Sequence, residues 1–188
     1  MQSRILCAAA MALAVAACSK PNDANNVAAA DNVVADNAVP AKSSVAAPVA
    51  AEFANQVAAS DRFEIESGNL AATMATSAEV RDFAKVLVTA HAQSTADLKA
   101  LGESSNPPIM PNDVLDMQND NMLVALKSAV GADFDHKFID QQIAGHENAL
   151  QLLKSYAAGG DNKALKAFAS KAVPIAQDHL DKAKSLKK

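Results

Sequence analysis

The stretch TSAEVRDFAKVLVTAHAQSTADLKALG, residues 76–102, decides how this chain folds. Its opening, Thr76-Ser77-Ala78-Glu79, has the form of a capping box, in which a hydroxyl and a carboxylate three residues apart satisfy the free N–H groups of a helix start. From there Val80, Ala84, Leu87, His91, Ser94, Leu98 and Leu101 recur at intervals of three and four. That is the stripe of a long amphipathic helix with one face against a core. Gly102 and Asn106-Pro107-Pro108 then end it. The stripe is mixed: an imidazole sits where a leucine would serve packing better.

The same periodicity extends on both sides. Upstream, Phe53 to Ala75 reads as a first helix with Phe63, Leu70 and Met74 in phase, and Asp61 to Glu64 forms an internal capping box that allows a short break near Ser60. Downstream, Asn112 to Val130 gives a short segment carrying Leu115, Met122, Leu123 and Leu126. After Gly131, Asp133 caps a helix with Phe134, Phe138, Ile139, Ile143, His146, Leu150 and Leu153 on one side. Gly159-Gly160 ends it, and Asp161 caps a last helix that aligns Leu165, Phe168, Ala169, Ala172, Ala176, His179 and Ala183, with a kink expected at Pro174.

Four long helices of about 25 residues, each near 37 Å, thus form two hairpins with tight turns. The connection from about Glu103 to Ala132 is long enough to travel back along the bundle and make the helices it joins parallel. The predicted fold is all-α: a ferritin-like four-helix bundle with a short extra helix in the long crossover. An up-down bundle, with the short segment packed across one end, is the alternative. At roughly 137 residues the domain can bury a sufficient core without disulfides or a structural metal.

Composition agrees with this reading. The chain has 188 residues, half of them apolar but only 4% aromatic, with 6 glycines, a pattern that disfavours sandwiches and barrels. The 17 basic residues against 21 acidic ones give a net charge of -4, which excludes a nucleic-acid binder of the usual basic kind.

The N-terminal third describes location. Arg4 precedes an apolar run from Ile5 to Ala17 that is too short to span a bilayer, so residues 1–17 read as a signal peptide. Val15-Ala16-Ala17-Cys18 resembles a bacterial lipobox, which implies lipidation of Cys18 and anchoring to a membrane. Ser19, in place of Asp, implies the outer membrane by resemblance to sorted lipoproteins, facing the periplasm. An ordinary secretory signal cut after Ala17, giving a periplasmic protein, is the alternative. With Cys7 removed in either case, no internal disulfide can form. Residues 18–51, rich in Ala, Asn and Pro, have no Leu, Ile or aromatic side chain to seed a core and read as a disordered tether reaching on the order of 30 Å. Locally helical alanine pieces within it remain an option, interrupted by Pro21, Pro40 and Pro48. The bundle domain is then 52–188.

Several runs are shared with a known family: Glu64-Ile65-Glu66-Ser67-Gly68-Asn69-Leu70-Ala71, Val80-Arg81-Asp82-Phe83-Ala84 leading to His91, Phe134-Asp135 with Phe138-Ile139-Asp140 and His146, and Phe168-Ala169 with Pro174 and His179. In this order they resemble domain-of-unknown-function family 4142, exported bacterial proteins often labelled outer membrane proteins. The resemblance implies a ferritin-like fold and no settled activity. Two positions depart from the family pattern: Ala90 replaces an acid that often precedes the histidine of the second helix, and Phe138 replaces a tyrosine.

Chemistry, if any, lies in the histidines. His136, between Asp135 and Lys137 at a helix start, reads as solvated, whereas His91, His146 and His179 occupy apolar faces of three different helices. Imidazoles on such faces need partners. Glu64 and Glu66 are the carboxylates at hand, Glu66 on the apolar stripe and Glu64 beside Gly68 and Ala71. Counting rise per residue from the turns puts Glu64, His91 and His146 at one height and His179 roughly 10 Å away, near its helix's end, unless the Pro174 kink or unequal helix starts compensate, so a three-ligand site is better supported than a four-ligand one. A di-iron centre is disfavoured, because the positions three before the histidines are Val88, Ile143 and Ala176 rather than glutamates. The candidate metal ligands are therefore Glu64, Glu66, His91, His146 and His179, suited to one divalent ion such as zinc, iron or copper. The alternative is a structural or partner-binding envelope module whose histidines are core polar residues. Oxidoreductase activity with a bound iron or manganese has only the fold in its favour, and catalysis is the less favoured reading. Nothing in the sequence fixes an oligomeric state or a further envelope partner.

Overall fold

The computed structural model describes residues 46–187, which form five helices: α1 (Ala50–Met74), α2 (Ala78–Glu103), α3 (Met117–Ser128), α4 (Ala132–Gly159) and α5 (Lys163–Leu186). No strand occurs among the described residues. The signal segment, Cys18 and most of the tether lie outside them. The last tether residues, Ala50 and Ala51, already belong to α1, and Ala47 packs against the core.

The helix ends show where polar side chains won over the expected caps. Ser77, one residue later than the Thr76 box, accepts from the Val80 N–H at 3.4 Å. Thr76 is instead engaged by Asp135 from the first turn of α4, which accepts from the Thr76 N–H (2.9 Å), the Thr76 hydroxyl (2.6 Å) and the Ser77 N–H (2.8 Å). Burial alone would raise this carboxyl, but these bonds outweigh it and hold Asp135 below the ordinary carboxylate value. The clasp ties the α1–α2 turn to the start of α4.

Asp133 does not cap α4; it pairs with Lys137 at 2.8 Å, and the N-cap is Gly131 at φ 61, a left-handed conformation that glycine adopts without a Cβ penalty. Likewise Asn162, not Asp161, caps α5 by accepting from Ala164 and Leu165, while Asp161 accepts the Tyr156 hydroxyl at 2.9 Å. The segment before α3 is loop as far as Asp116, held where the Asn112 N–H donates to Asn55 at 2.8 Å, so this helix is shorter than expected. Helix α1 runs without a break near Ser60, and α5 continues through Pro174.

Two apolar clusters establish the topology. One joins Ala71 and Ala75 at the end of α1, Val80, Phe83 and Leu87 at the start of α2, Phe134, Phe138 and Ile139 at the start of α4, and Ala183 and Leu186 at the end of α5. The other joins Phe53 and Val57, Leu98, Leu150 to Tyr156, and Leu165 and Ala169 from the opposite ends of the same helices. Since α2 and α4 both start at the first cluster, they run parallel, as the long crossover predicted, with α1 beside α4 and α2 beside α5. Leu87, Ile139 and Leu153 are buried as expected. Phe168 is only half-buried, in edge contact with Phe53 at 6.4 Å, because it borders an open space between the hairpins.

Candidate metal centre

Between the two apolar clusters lies a layer of polar side chains. Asp61, Glu64 and Ser67 enter it from α1, His91 from α2, Gln142 and His146 from α4, and His179 from α5; all but the partly buried His91 are buried. Their positions follow from helical spacing, because Asp61, Glu64 and Ser67 at intervals of three, and Gln142 and His146 at an interval of four, share one face.

The three histidine rings converge, with centroids 5.8, 5.7 and 5.3 Å apart in pairs. One ring nitrogen from each of His91, His146 and His179 lies within 4.8 Å of the others. The His146 Nε2 to His179 Nδ1 distance is 3.3 Å. Two nitrogens bound at about 2.0–2.1 Å to a single tetrahedral ion would stand about 3.3 Å apart, so this spacing suits a shared ion.

Partners orient the rings. His146 Nδ1 lies 2.9 Å from the Gln142 carbonyl oxygen, which can only accept, so Nδ1 carries the proton and Nε2 presents a lone pair. His91 Nδ1 faces Asp61 Oδ1 at 2.8 Å, and the Thr95 hydroxyl donates to the other Asp61 oxygen at 3.3 Å. His91 Nε2 is buried without a hydrogen-bond partner. A carboxylate behind a histidine, fixing its tautomer and leaving the second nitrogen for an ion, is the usual support of a metal ligand.

The electrostatics are of the same kind. Burial, assisted by the other histidines, pushes His146 and His179 down to about 4, so both are neutral at pH 7. For His91 burial also acts downward, but the Asp61 bond and the charge of Glu64 outweigh it and raise the imidazole. Burial pushes Glu64 up to about 7, against the lowering influence of His91 and Gln142. Its Oε2 has no hydrogen-bond partner.

The structure therefore sorts the predicted residues. His91, His146 and His179 meet; Glu64 lies buried beside them but outside the group whose ligand atoms are within 4.8 Å of one another. Glu66 is half-buried and paired with Arg62 at 2.9 Å, away from the histidines, and His136 is exposed. His179 stands level with the other two histidines, which corrects the height counted from its helix's end. The level of α5 is set by the turn at Gly159-Gly160, which begins 13 residues after His146, whereas its C-terminal end stops short of the start of α4. Asp61 and Gln142 were not singled out as site residues; their signal was the three- and four-residue spacing to Glu64 and His146.

Residues 34–186 match the family described as "Domain of unknown function (DUF4142)". The chain belongs to the DUF4142 family. Two solved structures resemble this DUF4142 chain. "CopM in the Cu(II)-bound form" aligns with a TM-score of 0.65 and 16% identity over 75% of this chain and 97% of CopM. "CopM in the Cu(I)-bound form" aligns with a TM-score of 0.62 and 15% identity over 73% and 94%. At such identity the likeness is one of fold. No curated protein matches the chain in sequence.

Proposed function

We propose that this protein binds one transition-metal ion, copper foremost, through His91, His146 and His179, as a metal-binding module of the bacterial cell envelope. The observation that carries the reading is the convergence of three imidazole nitrogens from three helices, with His91 Nε2 buried and unpartnered. Imidazole nitrogens suit zinc, iron and copper, and among divalent ions copper binds such donors most tightly. The copper-bound forms of the structural neighbour support the same choice. Iron or manganese chemistry of the di-iron type has no support in this layer, which contains one glutamate, Glu64.

A bound ion would supply Lewis acidity or a redox couple; the chain's own residues do the rest. Asp61 keeps the Nδ1 proton of His91 in place, and the Gln142 carbonyl does so for His146, so that both Nε2 atoms remain available. Glu64 adds a carboxylate that can offset part of the ion's charge. Binding displaces the proton that His91 would otherwise hold, so affinity falls as the pH drops.

Location belongs to the same proposal. Cleavage before Cys18 and acylation of its thiol would anchor the bundle to the outer membrane through the tether; no described helix is long and apolar enough to cross a membrane. Mass spectrometry of the mature protein tests this, expecting lipidated Cys18 at the N-terminus; an unmodified Cys18 or a start at Ser19 refutes it. The metal reading is tested by thermal denaturation with zinc, iron(II), manganese and copper. A metal selective for the folded state raises Tm, copper most, and no rise with any of them refutes it.

A further inference from the structure

The polar layer opens into a cavity of about 710 Å³ between the two hairpins, bordered by the crossover segment and α3. A metal ion with its waters needs a small part of that space; the volume lies in the range of pockets for small organic ligands. The walls join apolar groups, among them Phe63, Leu152, Phe168 and Ile175, to the acidic residues Asp97 and Asp116, with Lys171 as the basic one. His91, His146, His179 and Glu64 border the same space. Glu64 is 2% exposed, and its Oε2 is buried without a partner.

Three protein donors leave a position open on an ion that prefers four or more. We infer that this position takes an exogenous small molecule, a neutral nitrogen donor that also carries an N–H and an apolar body, lodged in the cavity beside Glu64. The inference rests on the metal reading above. The unpartnered Oε2 of Glu64 selects for a hydrogen-bond donor, the acidic walls discriminate against anions, and the apolar lining rewards a hydrophobic body. The three features together describe one ligand chemistry, and the open cavity gives it access.

The test uses the copper(II)-loaded protein and electron paramagnetic resonance, with imidazole, 4-phenylimidazole and azide as probes. Imidazole should shift the protein-bound copper signal saturably, and 4-phenylimidazole should do so at a concentration about tenfold lower or less, because its ring fills apolar space. Azide should shift it only at much higher concentration. Ala149→Phe, or Ala172→Phe if the first does not fold, narrows the cavity and should abolish the preference for the phenyl compound while the copper signal before addition stays as in the wild type. If copper binds but imidazole leaves its signal unchanged, strips it from the protein, or is no better than azide, the inference falls and the metal reading stands. If no protein-bound copper signal forms, both fall.

Discussion

Replacing Glu64 by glutamine in the metal-free protein should stabilise it, by an amount that depends on pH in a definite way. Glu64 is raised from 4.5 to about 7 by burial. Since a raised folded-state value means that the folded protein holds the proton more tightly, the associated stability is fully present below about 4.5 and is lost as the pH rises through about 7. Each tenfold gain in proton affinity is worth about 1.4 kcal/mol, so the loss amounts to about 3 kcal/mol once Glu64 is fully ionised. For a domain of this size that corresponds to roughly 10 °C in Tm. Glutamine keeps the shape and cannot ionise. Urea unfolding of wild type and Glu64→Gln between pH 4.5 and 9 should therefore show a stability difference that grows through pH 7 by about 3 kcal/mol in favour of the variant. A bound cation should favour the carboxylate and shrink the gap at high pH. A difference that is flat with pH, or that grows toward acid, would refute the assignment of Glu64 as a carboxyl raised by burial.

His91→Ala, His146→Ala and His179→Ala should each abolish or sharply reduce the copper-dependent rise in Tm while circular dichroism still reports a helical bundle; His136→Ala should leave the rise unchanged. Asp61→Asn, which disturbs the proton held on His91 Nδ1, should weaken copper binding by roughly 10- to 100-fold in a calorimetric titration. Leu126→Ala, at a position with no exposed surface, should lower the unfolding free energy by about 2 to 5 kcal/mol in urea. Gly160→Ala should also destabilise, because its Cβ would lie 2.6 Å from the Tyr156 ring, which is stacked on Phe53 at 3.8 Å and cannot easily retreat; a neutral effect on Tm would contradict that packing.

The fold was legible because hydrophobic periodicity and the glycine turns act locally, and because a connection as long as Glu103 to Ala132 has room to cross the bundle. The parallel course of α2 and α4 confirms that inference. What periodicity could not specify were the ends. Asp135, Asn162 and Gly131 settle them through contacts or backbone conformations that compete with equally plausible neighbours such as Asp133 and Asp161. In the polar layer, His91 and His146 could be levelled from their turns. The height of His179 is not legible from the C-terminal end of its helix, because that end does not align with the start of α4. Asp61 was hidden for another reason: with Glu64 three residues on it has the form of a capping box, which assigns its carboxylate to backbone N–H groups until α2 brings His91 against it.

The central claim, an ion held by three histidines, is tested most directly by titrating copper into the metal-free protein in a calorimeter. The account predicts one site per chain tighter than about 10 µM, equivalent to roughly -7 kcal/mol, that disappears in His146→Ala. Absence of any site of that affinity, or a site that survives His146→Ala unchanged, would contradict it and leave the histidines as polar residues of the core.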